Sequence, residues 1–168
     1  MYKRLRSWLA KLLFGAAKCV QGKRAVKTPS DKYTNDPAFW FQSAENFRAG
    51  AWLLFRHGSP FLYFPAAILG HQALEMYLKA ALIRKGRQIS PSDTWGHDLE
   101  ALLKDLAGEA EFPELVYNCA KIFNDYFDEL RYPRRLKSVE GIGETEGWLL
   151  EEAIPFLLPY AKGPRIMT

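Results

Sequence analysis

Residues 59–86 read SPFLYFPAAILGHQALEMYLKAALIRKG, and this stretch decides how the rest of the chain is organised. Ser59-Pro60 is a helix start, a capping-type residue before a proline whose missing N–H is not needed in the first turn. Gly86 is a stop, because glycine tolerates the left-handed backbone that ends many helices. Between them Leu69, Ala73, Met76, Ala80 and Ile83 cover one side, while Phe64, Ile68, Leu78 and Leu82 cover the other. A helix apolar nearly all round must be covered by more than one neighbour. The spacing therefore predicts a central helix, or one shared between the core and a dimer contact. Pro65 falls in its first turns, where a small kink or ragged start is expected.

Helical periodicity continues on both sides of this segment. Asp36-Pro37 repeats the start signal, and Trp40, Ala44, Phe47, Ala51 and Phe55 make an apolar stripe as far as about His57. After a polar turn over 87–95, a helix over about 97–107 carries Leu99, Leu102, Leu103 and Leu106 on one side. Pro113 opens another that runs to about Leu130. It gathers Leu115, Val116, Cys119, Ile122, Phe123, Tyr126, Phe127 and Leu130, with Lys121, Asn124, Asp125 and Asp128 facing away. A loop over 131–143 precedes a last helix over about 144–154, beyond which Pro155 and Pro159 predict a bent or broken extension. No β-alternation of useful length interrupts this pattern. The fold class expected is all-α, an up-and-down bundle of about five helices occupying residues 38–162.

Length and composition agree with one core. The chain has 168 residues, 48 % of them hydrophobic, with five Trp, eight Tyr and eleven Phe. The net charge of +4 is unevenly spread. Residues 1–30 hold eight basic groups and no acidic one, leaving 15 basic against 19 acidic groups in 31–168. The high isoelectric point thus belongs to the arm and does not describe a globally basic surface. Residues 3–20 are amphipathic: Leu5, Trp8, Leu9, Leu12, Leu13, Ala16 and Val20 share a side, and Arg4, Lys11 and Lys18 recur on another. Three readings stand for this arm. It is an interfacial or targeting helix on an anionic membrane, with Trp8, Leu9, Leu12 and Leu13 as contacts; it packs on the domain or a partner; or it is a flexible arm. Residues 31–37 read as a linker and first cap, and 163–168 as a tail. Lys11 interrupts the apolar stretch that a secretory signal would need, and no run of about 18 apolar residues occurs. The expectation is a cytoplasmic protein, peripheral at the inner face of a membrane only on the first of those three readings.

Few groups suggest chemistry. Cys19 and Cys119 make neither a disulfide framework nor a metal set, and no second histidine stands at metal-like spacing, so no metal or other cofactor is expected. His71, Glu75 and Lys79 follow one another at four-residue spacing within an apolar sector, so His71 can meet Glu75 and Glu75 can meet Lys79. Such a carboxylate needs partners, since unpaired burial is expensive. A structural polar knot and a ligand- or RNA-facing cluster both satisfy that need. His97 begins the 97–107 helix and is placed to donate to a nearby carbonyl or carboxylate. Arg131, Tyr132, Arg134, Arg135 and Lys137 put four cations and a stacking ring within seven residues, suited to helix capping or to phosphate and base contacts. Phosphate-loop, dinucleotide, zincin and nucleophile-elbow motifs are absent from the sequence.

The order His71-Gln72-Ala73-Leu74-Glu75, Leu78-Lys79-Ala80, His97-Asp98-Leu99 and Arg131-Tyr132-Pro133 resembles the HEPN family over about 38–160. The resemblance implies a helical domain that commonly dimerises and acts in RNA cleavage, toxin–antitoxin pairs or defence, in some relatives beside a nucleotidyltransferase-like protein. Ribonuclease members typically carry an Arg followed by four to six residues and a His across a dimer cleft. Arg131 fits the Arg position, but Leu136, Lys137 and Ser138 occupy the interval of the His, and no histidine follows His97. A non-catalytic dimerisation and nucleotide- or RNA-binding module is therefore the leading expectation. Two alternatives stand beside it: a structural or membrane-surface adaptor, and a metal-independent endoribonuclease. The latter would use Arg131 and Tyr132, with His71 or His97 reaching the cleft as proton shuttle.

Overall fold

A computed structural model describes residues 35–88, 96–108, 111–131 and 141–163, with side chains of the fourth helix described as far as Phe127. Two units divide the chain, Met1–Asp31 and Lys32–Thr168, and every described residue belongs to the second. The expected roles of Trp8, Leu9, Leu12 and Leu13 lie outside the described residues. So do Tyr132, Arg134, Arg135 and Lys137. The described residues form five helices and no strand: α1 Pro37–Arg56, α2 Pro60–Arg84, α3 Leu99–Ala107, α4 Glu114–Arg131 and α5 Glu144–Lys162.

The helix ends follow from local chemistry. Asp36 caps α1 by accepting from the Ala38 N–H at 2.9 Å, and Pro37 takes the first helical position. At the end of α2 Gly86 has φ +86°, so its own N–H reaches the Ile83 carbonyl at 2.9 Å and the Arg87 N–H reaches Leu82 at 3.1 Å. These paired bonds satisfy carbonyls that would otherwise be left open. The start of α3 differs from the sequence expectation. Asp98, rather than His97, is its cap, accepting from the Glu100 and Ala101 N–H groups at 3.0 and 3.1 Å. His97 is left just outside the helix.

The last helix also departs from expectation, since α5 continues through Pro155 and Pro159 to Lys162. Each proline removes one hydrogen bond, from the carbonyls of Glu151 and Pro155. Both rings lie on the exposed face, where water reaches those carbonyls. Underneath, Leu150, Ala153, Ile154, Leu157 and Ala161 are buried on one side and hold the helix across both interruptions. Pro65 is likewise exposed and inside α2, which runs on from Pro60.

α2 touches each of the other four helices, which is what its all-round apolar sequence requires. Its second half is covered, with Ala73, Leu74, Tyr77, Leu78, Ala81 and Leu82 buried. Phe123 of α4 fits over Gly70, and a Cβ there would stand 2.3 Å from the ring. The first half of α2 is different: Phe61, Phe64 and Ile68 are 88, 37 and 36 % exposed. Among the described residues no helix is long and apolar enough to cross a membrane.

The α2–α4 contact supplies a test. In Gly70→Ala the helix-propensity gain, up to ~1 kcal/mol, opposes overpacking of about 1–3 kcal/mol against buried Phe123. A net loss of stability is expected, read as a lower urea midpoint with an unchanged denaturant slope; a midpoint at or above wild type would refute the tight contact.

Candidate functional site

The four polar residues His71, Glu75, Lys79 and His97 come together where α2 passes beneath the start of α3 and the end of α4. Glu75 is 1 % exposed, and burying a carboxylate there requires compensation on both oxygens. Lys79 Nζ donates to Oε1 at 2.5 Å, and His97 Nδ1 meets Oε2 at 2.8 Å. The same ammonium reaches the Gly96 carbonyl at 3.3 Å and lies 5.4 Å from the centre of the Trp40 ring.

His71 does not hydrogen-bond to Glu75 as the spacing suggested; its Nδ1 stays 3.9 Å from Oε2. Instead its Nε2 meets the backbone carbonyl of His97 at 2.9 Å. A carbonyl only accepts, so Nε2 carries the proton. Burial lowers the His71 pKa to about 4, outweighing the nearby Glu75 charge that favours the imidazolium. The ring is therefore neutral near pH 7, and Nδ1 is a lone pair without a hydrogen-bond partner. His71 is wholly buried, which removes it from any surface chemistry.

His97 has the opposite character. Its side chain is 43 % exposed, but both its backbone and its ring are fixed, the carbonyl by His71 and Nδ1 by Glu75. Because an ionised carboxylate accepts, Nδ1 is the protonated nitrogen, and Nε2 of the neutral ring carries the free lone pair. The Asp98 cap adds rigidity. Asn124 of α4 donates to Asp98 at 2.9 Å and accepts the Leu99 N–H at 2.9 Å. The expectation that Asn124 faces away is thus corrected: it spans to α3 and ties the two helices.

Phe127 joins this cluster to the end of α4. It stacks on His71 at 3.9 Å with an interplanar angle of 10°, and its centroid is 5.3 Å from that of His97. Arg131, the last residue of α4, follows four positions later. Phe127, four residues before the end of α4, thus packs against both histidines of the cluster.

A second polar network was not anticipated. Arg48 of α1 grips Glu151 of α5 through Nε and an Nη at 2.8 and 2.5 Å. Buried Tyr77 donates to Glu45, and burial together with that bond raises its pKa. A cavity of about 270 Å³ lies beside these groups, lined by Glu45, Arg48, Ala49, Trp52 and Glu151. Its polar groups largely satisfy one another, so it reads as a fastening of α1 to α5. Cys119 is free and buried, its thiol pushed up to about 12 by burial. Among the described residues no group of three or more His, Cys, Asp or Glu side chains is placed to hold a metal ion.

The HEPN domain family model matches residues 38–154. The chain belongs to the HEPN domain family. Within that HEPN domain lie α1 to α4 and the first part of α5, including the whole cluster around Glu75. No curated protein and no solved structure matched the sequence.

The neutral state of His71 makes a pH prediction. Its folded pKa of about 4 lies below the ordinary 6.5, so the unfolded chain binds more protons between those values. Stability should fall as pH drops through that window, by roughly 2 kcal/mol from His71 alone between pH 7.5 and pH 5. Urea titrations should show that fraction of the pH slope disappear in His71→Gln; an identical slope in the two proteins would contradict a neutral buried imidazole.

Proposed function

We propose that this HEPN protein is an RNA- or nucleotide-binding module that works as a homodimer. The observation that carries the reading is the end of α4: Phe127 stacks on His71 and packs beside His97, and Arg131 closes the helix one turn later. The sequence continues from there through Tyr132, Arg134, Arg135 and Lys137. The body apart from the arm has more acidic than basic groups, so this segment is a local concentration of positive charge. Cations suit phosphates, and a tyrosine among them suits a base.

Dimerisation is supported by an uncovered apolar face on the first half of α2. Phe61, Phe64 and Ile68 follow one another at helical spacing, and all three are exposed. A second copy is the occupant proposed, because one apolar helix face can pair with itself across a two-fold axis without meeting buried charge. Phe61, at 88 % exposed, is the anchor expected at its centre.

Fluorescence anisotropy with a mixed single-stranded RNA tests the first part. Replacing Arg131, Arg134 and Arg135 together with Ala should weaken association at low salt and make the log–log salt slope shallower by about 2, since each neutralised phosphate contributes ~0.7. Unchanged affinity and slope would dismiss this segment as the contact. Light scattering addresses the second part: Phe61→Glu should halve the particle mass, whereas a wild-type protein that is already monomeric at tens of micromolar would end the dimer reading.

A further inference from the structure

The cavity between α1 and α5 is lined by two carboxylates and one guanidinium, and that guanidinium is already committed. Arg48 of α1 gives Nε and one Nη to the two oxygens of Glu151 of α5. Its other Nη stays 3.8 Å from Glu45 Oε2, beyond hydrogen-bond reach. Glu45 Oε1 accepts from Tyr77, a hydroxyl that burial keeps protonated and neutral. Oε2 is therefore left with no hydrogen-bond donor among the described residues, on a side chain that is 36 % exposed.

The geometry points to a binding site for one small organic cation, a primary ammonium or guanidinium on a short apolar stem, with its N–H groups on Glu45 and its stem against Trp52. Free diamines and the side chains of lysine and arginine share this chemistry. The site is independent of the RNA contact proposed above, since no residue of the Glu75 cluster or of the segment after Arg131 lines it.

Charge, walls and size each bear on the choice of ligand. A phosphate or carboxylate would have to take Arg48 from Glu151 and would face the Glu45 carboxylate, so anions are disfavoured. A cation meets a net negative lining and an acceptor that is partly desolvated by the cavity. Trp52 supplies the apolar wall, and Trp148 packs edge-on against it, ring centroids 4.9 Å apart. The same indole already attracts a cation: the Arg56 guanidinium, which does not line the cavity, lies 5.4 Å from its centroid. At about 270 Å³ the space is small for a ligand pocket and suits a single side chain or a short amine, not a nucleotide. The bond between Arg48 and Glu151 fastens the two helices whether or not a ligand is present. Glu45 Oε2 contributes little to that fastening and is the group left for recognition.

Proton–nitrogen NMR spectra of the full-length protein read the site through the indole N–H signals of Trp52 and Trp148, assigned with Trp52→Phe and Trp148→Phe. The probes are putrescine and agmatine as free amines, and lysine and arginine blocked at both ends. Saturable movement of the Trp52 signal is expected. Movement with the blocked residues would identify a side chain of another protein as the ligand; movement with the free amines alone would identify a diffusible amine. Butanol and blocked norleucine carry the stem without the charge and should leave the signal in place. Glu45→Gln keeps an acceptor for Tyr77 and removes the charge, so it should weaken binding by about tenfold or more. No saturable shift with any of the four cations, an equal shift with butanol, or unchanged affinity in Glu45→Gln would overturn the site. The comparison of cations with butanol needs only the wild-type protein, so it decides the matter even if the variant fails to fold.

Discussion

Much of this domain is arranged around one buried carboxylate. Glu75 sits in the middle of the central helix with almost no access to water, an arrangement that costs several kcal/mol unless both oxygens are engaged. Lys79 answers from the next turn of the same helix, and His97 answers from a segment 22 residues further along. The second contact is the consequential one. It holds His97, just before the Asp98 cap of α3, against the central helix.

The constraint propagates without any long side-chain relay. His71, one turn before Glu75, takes the carbonyl of His97 and offers its flat face to Phe127. Asp98 caps α3 and also accepts from Asn124 of α4. Three helices thus share one polar centre, in which the buried Glu75 carboxylate is satisfied from both sides. The result is a connected polar platform beneath Phe127 of α4. A histidine on that platform has one nitrogen assigned and the other open, which distinguishes it chemically from the enclosed histidine beneath it. Two imidazoles in one cluster thereby stand in different surroundings, one enclosed and one open to solvent.

Some of this was legible in advance. The starts at Asp36-Pro37 and Ser59-Pro60, the stop at Gly86 and the apolar periodicities depend on interactions within a few residues, so they can be read locally. The same holds for Glu75 with Lys79, a pair one turn apart. Asp98 as a cap is also readable, standing directly before the Leu99, Leu102 and Leu103 pattern. Prolines misled for a physical reason: their local penalty is fixed, but the packing and solvent access that offset it at positions 155 and 159 belong to the whole fold. The polarity of Asn124 points it outward, while its actual partners lie at residues 98 and 99.

The sequence by itself determined the helices, the central place of α2, the polar spacing within it and the family to which the chain belongs. Those follow from contacts between near neighbours and from a pattern of apolar faces, both properties of a linear string. Tertiary structure decided which oxygen of Glu75 meets which partner, which histidine is enclosed and which is open, and that Phe127 links them to the end of α4. These depend on how three helices cross. Tautomer, desolvation and stacking are set by groups within about 4 Å of one another, and those groups come from positions 71 to 127 of the chain.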